Sequence, residues 1–198
     1  MRKTSSVVIS MSVAFILTLL STEMRTSVVA MKIAELSLPA AETDSSRSLS
    51  PTLQDASFIW ASPDERGLYP GYEPVVGGKH QDGTTMYICK QSFVPGKLYK
   101  DTCHYSYGGR EHVDTHYRVL LTNTQYQWKA AVDLSRAQIK SGAVKVGIDY
   151  GHDTIYICHK QMSDGVHPGK YSYNNNLCYI PWGGKEYHYA DDFEILFR

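Results

Sequence analysis

Neither sign of charge prevails in this chain of 198 residues, where 20 lysines and arginines face 20 aspartates and glutamates. Proteins that bind nucleic acid gather basic residues to neutralise phosphates and release counterions, so no nucleic-acid partner is expected. Also missing is an apolar run of bilayer length. The longest, Val7 to Leu20, spans fourteen residues, short of the roughly 20 that a helix needs to cross, so stable membrane insertion is not expected. No Cys-x-x-Cys spacing offers a zinc site. No triad, metal motif or cofactor loop supports catalysis, so the chain reads as a non-enzyme with no cofactor and no metal. Uninterrupted helical patterns are few as well.

What is abundant is tyrosine and glycine, 15 of each. That balance favours β structure with many turns. At the N-terminus Arg2 and Lys3 precede the apolar run, and Glu23 and Arg25 end it. A positive start before a short apolar stretch reads as an export signal over residues 1–22, which predicts a secreted, extracellular protein. Residues 23–57 read as a linker or pro-segment, largely disordered. Thr26 to Ala41 is mildly amphipathic, and Glu42 to Ser57 is serine-rich with few apolar groups to offset the cost of ordering. Folding begins near Phe58-Ile59-Trp60.

From there the chain says everything twice. The first copy runs Tyr87-Ile88-Cys89, Pro95-Gly96-Lys97, Cys103, Gly108-Gly109-Arg110-Glu111 and Tyr117-Arg118-Val119-Leu120. The second runs Tyr156-Ile157-Cys158, Pro168-Gly169-Lys170, Cys178, Gly183-Gly184-Lys185-Glu186 and Phe193-Glu194-Ile195-Leu196, and Trp60 and Trp128 open the two. The offset drifts only from 128 − 60 = 68 through 158 − 89 = 69 and 170 − 97 = 73 to 186 − 111 = 75. Shared order with drift confined to short insertions is duplication. The predicted fold is all-β: two tandem antiparallel β-sheet repeats, 58–124 and 125–198, with internal pseudo-two-fold symmetry.

Within each copy the reading is coarse. Gly77 to Gly83 and Gly147 to Asp153 are turns, since Asp-Gly before an apolar run signals a hairpin. Met86 to Lys90 and Ile155 to His159 follow as strands. Phe93 to Lys97 turns the chain, with Pro95-Gly96 fixing that turn. Tyr117 to Leu121 and Phe193 to Phe197 alternate as strands. Leu134 to Lys140 forms a short helical turn.

Four cysteines in an exported chain read as disulfide-bonded. Of the three pairings open to them, the internal repeat selects a bridge within each copy, Cys89 with Cys103 and Cys158 with Cys178.

Taken together, Tyr-Ile-Cys, Pro-Gly-Lys, Gly-Gly-(Arg/Lys)-Glu and the closing Val/Ile-Leu strand resemble the DM-nine repeat family, also found at the N-terminus of natterin-like toxins. The resemblance covers Trp60 to Arg198. It implies a tandem β-sheet fold and, for some members, a lectin that recognises mannose-type glycans in innate immunity, often as a homodimer. In those members an acid in the turn before the Tyr-Ile strand and the Pro-Gly-Lys lysine touch the sugar. Here those positions are Asp149 and Lys170 in the second copy, and His80 and Lys97 in the first. A carboxylate accepting from vicinal hydroxyls beside a donating ammonium suits a sugar. His80 departs from that chemistry, since a neutral imidazole accepts one bond and a protonated one none. Asp82 is better suited to shaping its Asp-Gly turn.

Other constellations have plainer readings. Glu111 and Glu186 could flank a glycosidic bond, but a glycosidase pair needs two unlike environments. A repeated motif offers similar ones, so each glutamate is expected to hold a loop by accepting backbone N–H groups. His104, His112 and His116 lie on strand and loop, where their spacing does not converge on a metal. Tyr99, Tyr105, Tyr107, Tyr171, Tyr173 and Tyr179 are sheet-packing residues or sugar-stacking ones. Trp60 and Trp128 are expected in the core, and Trp182 partly exposed. The function expected is a secreted, mannose-binding pattern-recognition protein. The alternative is a secreted interaction or structural protein that binds no sugar.

Overall fold

The computed structural model describes residues 56–198. The signal and linker readings for 1–22 and most of 23–57 lie outside the described residues. The fold is all-β, as the repeated apolar strands and glycine turns require.

The first half contributes β1 (Phe58–Ala61), β2 (Glu73–Pro74), β3 (Val76–Lys79), β4 (Thr85–Gln91), β5 (Val94–Tyr99), β6 (Thr102–Tyr107), β7 (Arg110–Asp114) and β8 (Arg118–Thr122). The second contributes β9 (Gln127–Ala130), helix α1 (Arg136–Gly142), β10 (Lys145–Ile148), β11 (Thr154–Met162), β12 (Gly165–Ser172), β13 (Leu177–Trp182), β14 (Lys185–Tyr189) and β15 (Glu194–Phe197). These strands form one antiparallel sheet in the order β1-β8-β4-β5-β6-β7-β14-β13-β12-β11-β15-β9, with β3 beside β4 and β10 beside β11. Read outward from the β7–β14 seam, both arms place corresponding strands in the same order.

Each half closes its innermost hairpin with two glycines. Gly108 and Gly109 have φ of 61° and 81°, and Gly183 and Gly184 have 59° and 81°. Two consecutive left-handed residues suit the two-residue turn that follows the twist of its strands. Other local readings shift. Pro95-Gly96 lies inside β5 rather than in a turn, and Ser92, with φ of 55°, makes the bend instead. Gly96 is needed in the strand because a Cβ there would come within 2.0 Å of the His104 carbonyl oxygen; Gly169 meets Tyr179 in the same way, at 2.0 Å. Likewise Val76–Lys79 and Lys145–Ile148 extend as strands into stretches read as turns. The helical turn starts two residues later than expected. Ser135 accepts the Gln138 N–H while the Gln138 side chain returns to the Ser135 N–H, a capping box.

The core has a shared centre. Val75, Ile88 and Leu120 of the first half pack with Val144, Ile157 and Leu196 of the second, at matched positions of the repeat. Flanking clusters belong to single halves: Ile59, Ala61, Val119 and Leu121 on one side, and Tyr171, Ile180, Ile195 and Phe193 on the other. Trp60 and Trp128 pack partly buried against the central cluster. Both disulfides form within a half, Cys89–Cys103 and Cys158–Cys178, with Cα separations of 5.9 and 6.0 Å.

Candidate functional site

Two clefts open beside the seam, and each is lined by both halves. The turn after β10 carries Asp149. Its Oδ1 accepts the N–H groups of Gly151 and Asp153, both at 2.9 Å, which fixes the turn. Asp153, buried just beyond, accepts the Ser172 hydroxyl and, at 2.8 Å, the Asn174 N–H. Thus a second carboxylate ties the Asp149 turn to the β12–β13 loop. Lys170 reaches the same cleft from β12. Its ammonium donates to the Ser106 carbonyl at 2.9 Å and pairs with Glu186 at 2.8 Å. An ammonium has three donors, so these two contacts leave one over.

The cleft around Asp149 and Lys170 measures about 220 Å³ and also takes in Tyr107, Asn175 and Tyr179. Tyr107 comes from the first half and Tyr179 from the second. The Lys170 ammonium lies 5.3 and 4.9 Å from their ring centroids. Phe93 packs edge-on to both Tyr107 and the exposed Tyr150, extending an aromatic rim beside the cleft.

His80 and Lys97 likewise meet in one cleft, of about 360 Å³, but its polar groups are spent on one another. Lys97 is buried, donating to the Pro181 carbonyl at 2.7 Å, facing His167 Nδ1 at 3.2 Å and pairing with Glu111 at 3.2 Å. All three donors are thereby engaged. Beside Glu111 the cleft holds a second acid, Asp164, from the tip of the β11–β12 hairpin. It accepts Trp182 Nε1–H at 2.9 Å and lies 2.9 Å from His167 Nε2 and 3.4 Å from His80 Nε2. Burial, then the nearby Lys97 charge, pushes the His167 pKa down to about 4. For Glu111, burial acts upward but is outweighed by bonds from His104 and the Gly184 N–H, leaving a pKa of about 2.

The glutamates do hold loops, but each holds the other half's. Glu186 accepts the Gly109 N–H and Glu111 the Gly184 N–H, both at 2.7 Å. The backbone repeats the exchange, Glu111 N–H to Gly184 O at 3.3 Å and Glu186 N–H to Gly109 O at 3.2 Å. Asp82 shapes its turn as read, accepting the Thr84 N–H at 2.9 Å.

Sequence reasoning missed Asp164 and His167. The signal was a four-residue insertion, since 170 − 158 = 12 against 97 − 89 = 8. That insertion lengthens the β11–β12 hairpin until Gly165 bridges to His80 and the Asp164 carbonyl accepts the Gln81 N–H at 2.7 Å. The contribution of Tyr107 to the opposite half's cleft left no local trace.

A family model of the DM9 repeat matches residues 90–189. The chain belongs to the DM9 repeat family. This DM9 protein is also similar in fold to the nematode sperm cell motility protein MFP2B, with a TM-score of 0.51 and 17% identity. The match covers 70% of this chain and 44% of that one, so the DM9 chain corresponds to less than half of MFP2B. No curated protein matches it.

Proposed function

We propose that this DM9 protein is a secreted lectin of the innate recognition kind, binding mannose-type glycans in the cleft of Asp149 and Lys170. The observation that carries the reading is the pair of open valences there. Among the described residues Asp149 Oδ2 receives no hydrogen bond, and the Lys170 ammonium retains a donor. An acceptor and a donor on one small cleft match vicinal hydroxyls, while Tyr107 and Tyr179 offer ring faces with polar edges. A sugar with a hydroxyl turned away would leave these groups unpaired, which gives selectivity.

The cleft around His80 and Lys97 lacks such valences, so binding is assigned to one site per chain. One small site binds a monosaccharide weakly, and a homodimer would supply avidity. Export is supported by the N-terminal apolar run after Arg2 and Lys3, and by two disulfides, which persist in oxidising compartments.

Isothermal titration of methyl α-mannoside and a glycan array test the reading. Mannose binding that disappears in Asp149→Asn and survives in His80→Ala supports it. Absence of binding to every mannose-bearing glycan removes it. The second reading, an interaction protein without sugar binding, draws on the self-satisfied first cleft. A protein partner captured with affinity indifferent to mannose would favour it.

A further inference from the structure

Strands β4 and β8 set Lys90 directly opposite Arg118. At the corresponding place β11 and β15 oppose His159 and Glu194, whose side chains meet at 2.6 Å. One half therefore joins a base to an acid where the other confronts two cations. Like charges directly opposed on neighbouring strands destabilise a sheet. Lys90 is half-buried with its ammonium 4.6 Å from the Trp60 ring centroid, and its pKa is pushed down by burial and then by Arg118. Arg118 is exposed, with Nη1 3.5 Å from the Trp60 carbonyl.

Both cations line a cleft of about 390 Å³ together with Ser62, Gln91, Ser92 and His116, and among the described residues no carboxylate lines it. Three acids sit beside it and each is held by a neighbouring group, Asp64 by the Ser62 hydroxyl, Glu65 by the Ser62 N–H at 3.0 Å and Asp114 by the His116 N–H at 2.8 Å. Glu65 also feels the Arg118 charge at longer range.

We propose that this cleft binds an oxyanion, a sulfate or phosphate group, with Arg118 and Lys90 as its two cationic contacts. The guanidinium fork matches two oxygens of a tetrahedral anion, and the ammonium adds a charge-assisted third contact. Hydroxyl and amide donors from Ser92 and Gln91 suit the remaining oxygens. A bound dianion also relieves the opposition between the two side chains. The same chemistry serves a free ion or an ester on a sugar.

The test uses the purified, disulfide-bonded protein. Isothermal titration and thermal unfolding are run with sodium sulfate and sodium phosphate against sodium chloride at matched ionic strength. N-acetylglucosamine 6-sulfate is compared with N-acetylglucosamine. The double variant Lys90→His, Arg118→Glu installs the second half's own pair and is expected to fold; Arg118→Gln is the milder control. We expect sulfate to bind the wild type, and both variants to lose affinity about tenfold or more. Sulfate stabilises proteins generally, so the decisive quantity is the difference between wild type and variants. Equal sulfate affinity and equal melting shifts in all three overturn the proposal, as does failure of sulfate and phosphate to bind the wild type. Tighter binding of the sulfated sugar than of inorganic sulfate identifies an ester as the ligand; the reverse identifies the free ion. Binding of mannose at Asp149 is independent of every arm.

Discussion

Lys170 and Glu186 form an ion pair of 2.8 Å whose side chains are only 13% and 8% exposed. Glu186 also holds the Gly109 turn of the opposite half. Glu186→Ala therefore strands a shielded ammonium and releases the seam in one change. Such uncompensated charges cost about 3–5 kcal/mol. Glu186→Gln keeps an acceptor for Gly109 and costs less. Urea unfolding with the disulfides intact measures both. A loss under about 1 kcal/mol for the alanine variant would mean that solvent screens the pair as on an open surface.

Acid should weaken the fold in two stages. His167 stays neutral in the folded chain down to about pH 4, while its unfolded imidazole takes a proton near pH 6.5. Between those values the unfolded chain binds more protons, so stability falls as pH drops. Glu111 follows: its stabilisation is complete above its ordinary value of 4.5 and drains away toward pH 2. Urea midpoints measured from pH 8 to pH 3 should fall through the upper window in the wild type. In His167→Gln that segment should flatten; an unchanged slope would assign it to other groups.

The two disulfides close loops of similar size, with sequence separations of 14 and 20. Replacing either pair by alanines should cost about 3 kcal/mol, slightly more for Cys158 and Cys178. Denaturation of the two double variants checks this. Loss of stability in one variant alone would contradict it.

If the Asp149 cleft holds mannose, a first-half residue should matter to a second-half site. Tyr107→Ala should weaken methyl α-mannoside binding about threefold to tenfold. Tyr99→Ala, in the other cleft, should leave it unchanged. Identical titrations for wild type and Tyr107→Ala would take the tyrosine out of the wall.

Strand identity and disulfide pairing were legible because each is a repeated, local pattern, whereas the pairing of Asp149 with Lys170 came only from the family resemblance. A nearly continuous apolar run after a turn marks Met86–Lys90 and Ile155–His159, and one matched pair of cysteines in each copy points to a bridge within each. Pro95-Gly96 misled, because proline beside glycine is commonest in turns, whereas here close approach to the His104 carbonyl demands the glycine within a strand. The glutamates were read correctly as loop anchors, but which half's loop each one holds was not legible, since no local spacing records which chain segment lies across a seam. Asp164 entered the first cleft through hairpin length, a quantity that acts at a distance from the residues it changes.

The exchange of Glu111 and Glu186 across the seam has a structural corollary. A solitary module would be an unfinished vessel, its glycine loop unheld and its lysine facing a missing wall. Enclosure arises only where two modules meet, and joining them in one polypeptide leaves each basin free to carry its own lining, histidines and Asp164 in one, Asp149 and Asn175 in the other.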